Sequence, residues 1–308
     1  MKMRGSQNLV AYIMDRMNKT NTKAMIDNEM AYFFGLDRGS YGEVLGDLSR
    51  TWVHSFRTSS IPLAEFWQPA NLDAIRKLLA PHLPGFNPEE ALKFFEFPTY
   101  AVWDGERIGR PSMTDIMALD GEWQMAVEGK FTEYVFSPEK TIVGQLKECS
   151  TVEGLRIRRN VIKAWYCYIR SARCTDIASP GDMLHQCPDV GYQFLHRTAS
   201  ACHAANGLEG RTPVLVYQLF FDQADAAHEA AMASFKGNLR KWASQLRLKN
   251  MKFLVVTVPV TNFADVKRRF DGQHGEIFYA MRDEDVYRFD LGGTTVESVI
   301  NGDAAKNE

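Results

Sequence analysis

The chain has 308 residues, 45% of them hydrophobic and 24% charged, with a formal net charge of −2. That balance suits a water-soluble globular chain with one sizeable core. It carries no overall basic charge that would advertise a nucleic-acid partner, so any basic surface has to be local. No run of 18 apolar residues occurs, and Asp15 and Arg16 interrupt the N-terminal MKMRGSQNLVAYIMDRMNKT. Neither a membrane span nor a secretory leader is therefore expected.

The first 95 residues have helical periodicity, with helices expected over 22–35, 41–57, 71–80 and 88–95. Ser40 is placed to cap the second, and Asn87-Pro88 followed by Glu89 and Glu90 reads as a helix start. Pro81, Pro84 and Gly85 form a break. From about residue 98 the pattern changes to strands: YAVWD, a turn over Gly105 to Pro111, then MTDIMAL and WQMAVEGKF as a hairpin. A basic and aromatic stretch covers 155–173, and DVGYQFLHRTASACHAAN (189–206) reads as a helix with Asp189 as N-cap and Gly207 as its stop. VLVYQLFF (214–221) and FLVVTVPV (253–260) are continuous apolar runs of the kind that form strands buried on both faces. Residues 225–247 between them are helical, and EIFYAM with VYRFDL reads as a final hairpin. The expected organisation is α/β: a helical extension over 1–95, a core with a central mixed sheet flanked by helices over 96–300, and a frayed tail over 301–308.

The chemistry concentrates in the hairpin TDIMALDGEWQMAVEGKFTE (114–133). Asp120-Gly121 is a favourable type I′ turn pair. With that loop Leu119 faces Glu122, Met117 faces Gln124 and Asp115 faces Ala126. Opposed residues, and residues two apart along a strand, project to the same side of a sheet. Asp115, Glu128 and Lys130 therefore share one face, and a loop at Gly121-Glu122 preserves this by setting Asp115 opposite Glu128. Without further context the set reads as a cross-strand ion pair on a solvated face, which contributes little to stability. It also has the composition of a Mg²⁺ site, with hard carboxylate oxygens and a cation beside them. Glu133, at the hairpin's end, is expected to face solvent.

An Asp on one strand and Glu-x-Lys on the next, here Asp115 and Glu128-Gly129-Lys130, resembles the PD-(D/E)XK nuclease superfamily with its restriction-endonuclease-like fold. The expected order of helix, three antiparallel strands, helix and strand over 88–221 is similar to that family's core. Tyr192-Gln193-Phe194-Leu195-His196-Arg197 is similar to the Gln-containing helix of its recombination-exonuclease branch. There the Gln is followed four residues later by a Tyr or similar group, and here by Arg197. The spacing puts Gln193 and Arg197 on one helical face. Thr114 stands where the family's name has Pro, a variable position.

The resemblance implies a nuclease that hydrolyses phosphodiester bonds, in DNA first of all, with Mg²⁺ as cofactor and Mn²⁺ able to substitute. It implies Asp115, Glu128 and the Gly129 carbonyl as metal ligands, Lys130 orienting the attacking water, and Gln193 and Arg197 supporting the site. Some branches add a Glu from an N-terminal helix, for which Glu43 is the candidate. The alternative is a catalytically silent nucleic-acid-binding or assembly module on the same fold.

In the 155–173 stretch, Arg156, Arg158, Arg159 and Lys163 are expected to meet phosphates. Trp165, Tyr166 and Tyr168 either stack on bases or enter the core. Lys267, Arg268 and Arg269 read as a solvated helix face. Five cysteines, odd in number and irregularly spaced, favour free thiols in a reducing cytoplasm. Cys167, Cys174, Cys187 and Cys202, with His185, His196 and His203, include no CxxC pair and make a poor zinc or iron–sulfur pattern. There is no Walker loop and no dinucleotide fingerprint. The N-terminal region could bind substrate, recognise a partner or form a homodimer.

Overall fold

The structure, a computed structural model, describes residues 32–34, 45, 58–135, 137–203, 210–271 and 276–300. Among the described residues seven strands form one sheet in chain order: β1 (Tyr32–Phe34), β2 (Leu92–Trp103), β3 (Glu106–Leu119), β4 (Trp123–Lys130), β5 (Thr212–Asp222), β6 (Lys252–Val260) and β7 (Thr295–Ser298). β1 to β4 pair antiparallel, β4, β5 and β6 pair parallel, and β7 returns antiparallel on β6. The fold is therefore α/β with a mixed open sheet, as the sequence suggests. Every residue of β4 is buried, and the apolar runs of β5 and β6 have helices on both sides, which is why neither strand alternates in polarity.

On one face pack α1 (Ser60–Phe66) and α2 (Leu72–Leu79), joined by Phe270 and Ile277 from two later helices. On the other lie α3 (Ile142–Lys147), α4 (Val152–Ser171), α5 (Pro180–Gln186), α6 (Tyr192–Cys202) and α7 (Ala226–Gln245). Thr151, Ser179 and Asp225 cap α4, α5 and α7 by accepting from backbone N–H groups in the first turn. Among the described residues no helix is long and apolar enough to cross a membrane.

Several expectations are corrected. Residues 92–95, read as the end of a helix, open β2, because Leu92, Phe94 and Phe95 join a twelve-residue strand paired along its length with β3. Asn87 closes only a turn, accepting from the Glu89 N–H. The expected helix 22–35 ends in a strand, Tyr32–Phe34, while the rest of it and most of 41–57 lie outside the described residues; Leu45 is helical and buried. The turn after β2 is confined to Asp104-Gly105, and Glu106 to Pro111 belong to β3. The final hairpin is not formed. EIFYAM lies in the helix Glu276–Asp283, whose apolar Ile277, Phe278 and Met281 follow helical spacing, and the sheet closes on β7. Helix α6 starts at Tyr192 behind Gly191, not at Asp189. The tail 301–308 is outside the described residues.

Candidate metal and phosphate site

β3 and β4 pair from Leu119↔Gln124 to Ile116↔Val127. The loop therefore centres on Gly121-Glu122. The Asp120 N–H donates to the Trp123 carbonyl, and the Asp120 carboxylate accepts from the Glu122 and Trp123 N–H groups, each at 2.8 Å. Gly121 takes no left-handed φ, so the side chain of Asp120, rather than a type I′ backbone, fixes the turn. This is the alternative register, and it sets Asp115 across from Glu128.

Beyond Ile116 the ladder gives way to a side chain: Asp115 Oδ2 accepts from the Gly129 N–H at 2.8 Å. Oδ1 makes no hydrogen bond among the described residues. Glu128 is fully enclosed. Its Oε1 accepts from Lys130 Nζ at 2.8 Å and Gln193 Nε2 at 2.6 Å, and its Oε2 accepts from Arg197 Nε. Arg197 Nη1 donates to Ser112 Oγ at 2.6 Å, and Ser112 Oγ lies 2.7 Å from His196 Nδ1. Gln193, His196 and Arg197 share one face of α6, one turn apart, which is why a single helix supplies three groups to one strand pair. Gln124 fixes the other end of α6, donating to the carbonyls of Ser200, Ala201 and His203.

Gly129 has a steric reason to be glycine. A Cβ there would sit 3.0 Å from the Ser59 Cβ and 3.3 Å from Leu63 on the opposite face, where α1 lies against β4. The neighbouring Glu128 and Lys130 thus share the site face while Gly129 lets a helix close on the back.

A third carboxylate completes the group. Phe95 pairs with Ile116 and Phe97 with Thr114, so Glu96 falls opposite Asp115 in the register. Its φ is +51°, a left-handed conformation that costs a non-glycine residue about 1–3 kcal/mol and collects at functional sites. Its carboxyl makes no hydrogen bond among the described residues, and burial raises its pKa to about 7, Arg197 opposing and Glu128 adding to the rise.

The electrostatics divide the carboxylates into two kinds. Burial alone would raise Glu128, but Arg197 and Lys130 outweigh it and hold Glu128 below the ordinary range. Burial pushes Asp115 well above its ordinary value, and the charges of Glu128 and Glu96 push it further. Burial would lower Lys130 and Arg197, yet Glu128 and Asp115 raise both. Burial, with Arg197 and Lys130, drives His196 well below 6.5, so its ring is neutral and Nδ1 is free to accept from Ser112. The site thus holds two locked cations, one neutralised carboxylate and two carboxylates in want of positive charge.

The oxygen-only donors of Asp115 and Glu96 fit a hard cation such as Mg²⁺, which keeps several waters and takes few protein carboxylates. Among the described residues, no three His, Cys, Asp or Glu side chains are grouped tightly enough to hold an ion without rearrangement. Lys130 and Arg197 lie on the Glu128 oxygens. Glu128 would become a ligand only by releasing one of these donors.

Asp115, Glu128, Lys130, Gln193 and Arg197 are therefore brought together. Glu43 is outside the described residues. Of the α4 cations, Arg156 is tied to Glu153 at the surface and Arg159 is exposed. Lys163 lies 5.7 Å from the Trp103 ring centroid, and Arg158 reaches the edge of the site beside Tyr192. Trp165 and Tyr166 are core residues; Tyr168 uses its hydroxyl to bond the Tyr100 carbonyl and the Val102 N–H. Glu133 does not face solvent freely, since it accepts from the N–H groups of Phe131 and Ser59. Arg268 and Arg269 make exposed ion pairs, as a solvated face should. All five cysteines are free, and Cys174, Cys187 and Cys202 are buried. Sequence reasoning missed Glu96, Ser112 and the neutral His196. The alternation of LKFFEF, with Glu96 in phase with Leu92 and Phe94, is the signal that could have found Glu96.

A family model described as Domain of unknown function (DUF6946) matches residues 39–259. No curated protein and no solved structure matches the chain.

Proposed function

We propose that this chain, which belongs to the DUF6946 family, is a Mg²⁺-dependent nuclease of the restriction-endonuclease-like kind, acting on DNA. The observation that carries the reading is the convergence of Glu96, Asp115 and Glu128 with Lys130, Gln193 and Arg197 on one sheet face. The three antiparallel strands β2 to β4, followed by helices and the parallel strand β5, support the same fold reading.

Asp115, Glu128 and the Gly129 carbonyl would hold the ion, with Glu96 in the role expected of Glu43. When bound, the ion polarises the phosphodiester and acidifies a water. The remaining work falls to the protein. Lys130, kept protonated by Glu128, donates hydrogen bonds and fixes the attacking water. Arg197 and Gln193 hold Glu128 in one orientation, and Arg197 presents positive charge to the phosphate in a water-poor setting where such preorganised donors are most effective. The neutral His196 and Ser112 lock the Arg197 guanidinium in plane. Hydrolysis then forms one P–O bond from water and breaks the ester P–O bond, the displaced oxygen leaving as a hydroxyl.

One observation favours the alternative, a silent binding module: both Glu128 oxygens already have cationic partners. The two readings separate in a cleavage assay on single-stranded, linear duplex and circular DNA with Mg²⁺ or Mn²⁺. The nuclease reading expects cutting that Asp115→Ala and Lys130→Ala abolish without loss of the folded state. No cutting of any of these substrates by the wild-type protein, with either ion, would leave the silent module.

A further inference from the structure

A cleft of about 920 Å³ opens beside the site, with Ser112, Gln193, His196 and Arg197 at its inner end. Its walls come from three separate elements. One is the outer half of β3, from Gly109 to Met113, which extends past the end of the β3–β4 ladder. The second is the N-terminal half of α4, with Gly154 and Arg158; the third is the segment from Lys140 to Thr151.

The outer β2–β3 arm is fastened to α4. Tyr168 binds Tyr100 and Val102 through its hydroxyl, and a Cβ on Gly109 would lie 3.1 Å from Val161. The cleft is thus bounded by two elements pinned to each other. Three cations from the three walls line it, Arg110, Lys140 and Arg158, leading inward to Arg197. The acid among them, Glu148, accepts from Gln145, which in turn accepts from Arg158 at 2.8 Å. The guanidinium of Arg158 lies 5.5 Å from the Tyr192 ring centroid. The side chains of Arg110 and Lys140 make no hydrogen bond or ion pair among the described residues. A row of cations ending at a phosphate-chemistry site is the electrostatic track of a polyanion.

The cleft's size then selects among polyanions. At about 920 Å³ it lies near the upper end of the ~300–1,000 Å³ range of pockets that take single small ligands. That is room for a few unpaired nucleotides, whereas a duplex is a much wider body, its major groove alone being ~12 Å across.

We propose that the cleft receives a single nucleic-acid strand, an end or flap, with its phosphates on Arg110, Lys140 and Arg158 and its leading phosphodiester delivered to the face of Asp115 and Glu128. The substrate role rests on the nuclease reading, whereas the strand selectivity does not.

The test is fluorescence anisotropy in EDTA, so that neither metal nor turnover contributes. Labelled oligothymidylate of 12 nucleotides is compared with a blunt 12-base-pair duplex, for wild type and for Arg110→Ala/Lys140→Ala, with thermal melting to confirm that the variant folds. The single strand is expected to bind at least tenfold tighter than the duplex. The double variant should lose about tenfold for the strand and flatten the slope of log K against log salt by about 1.4, two contacts at ~0.7 each. Duplex binding as tight as the strand, strand binding untouched by the double variant, or no binding of either would overturn the proposal. A protein that cuts DNA yet prefers duplex would lose this inference and keep the nuclease reading. One that binds the strand as described and cuts nothing would do the reverse.

Discussion

Replacing Glu96 by Gln removes one of the two carboxyls in the site that burial raises. The amide keeps the size and the left-handed backbone of Glu96, so the change is confined to charge. Burial moves the Glu96 carboxyl from an ordinary 4.5 to about 7, a displacement worth ~3 kcal/mol. For an acid raised in the folded state, the native protein binds the extra proton between these two values. Stability is intact below pH 4.5, falls as pH rises through 7, and stays lower above it. Glu96→Gln should therefore be nearly neutral at pH 4.5 and stabilising by up to ~3 kcal/mol at pH 8. For a chain of this size that is roughly 5 °C in Tm. Glu65, which burial raises to about 8, declines in the same sense in both proteins, so the difference between variant and wild type is the quantity to read. The assay is thermal unfolding by circular dichroism at pH 4.5, 6 and 8, repeated with 10 mM Mg²⁺. The ion should raise the wild-type Tm at pH 8 and raise the variant's much less, because binding to the native state stabilises it. A variant destabilised equally at every pH would refute the reasoning and make Glu96 a packing residue.

Glu128→Gln should act in the opposite direction, because it removes the direct counter-charge of two buried cations, Lys130 and Arg197. A loss of about 3–5 kcal/mol is expected in urea unfolding, and an unchanged midpoint would contradict the network. Gly129→Ala places a methyl group 3.0 Å from Ser59 and should cost about 1–3 kcal/mol; a melting curve superimposable on wild type would remove the close approach of α1 to β4. His203, stacked on Tyr168 at 4.0 Å and lowered by burial to about 4, stays neutral in the native state. Between pH 6.5 and 4 the unfolded chain takes up a proton that the folded one refuses, so acid costs the fold up to ~3 kcal/mol there. His203→Phe should flatten that part of the pH–stability curve, and a curve unchanged from wild type would count against a buried neutral ring.

Much of this site can be read from periodicity. Asp115, Glu128 and Lys130 share a face because strand side chains alternate, and Gln193 and Arg197 meet them because helix side chains recur every turn. Strand alternation keeps these charges on one face wherever the two-residue turn sits. The Asp120 carboxylate moved the loop by one residue without moving the charges off their face. Glu96 was hidden by a local signal. Asn87-Pro88-Glu89-Glu90 opens like a helix, whereas the pairing of Leu92 to Trp103 with β3 is a long-range gain that no local window contains. EIFYAM failed in the reverse sense, since aromatic and β-branched residues suggested a strand while the edge of β6 was taken by Thr295–Ser298 instead. The cleft was illegible because it depends on Tyr168 reaching across to Tyr100 and Val102, far apart in sequence. The division of the α4 aromatics, with Trp165 and Tyr166 in the core, likewise depends on tertiary packing and not on local pattern.

The central claim, that the face of Asp115 and Glu128 binds a divalent cation, is tested most directly by calorimetric titration of Mn²⁺ into the wild-type protein and into Asp115→Asn at pH 8. Saturable binding near one ion per chain in the wild type, weakened at least tenfold in Asp115→Asn, is the predicted result. Wild-type protein that binds no Mn²⁺, or binds it equally well after the Asp115 charge is removed, would contradict the account.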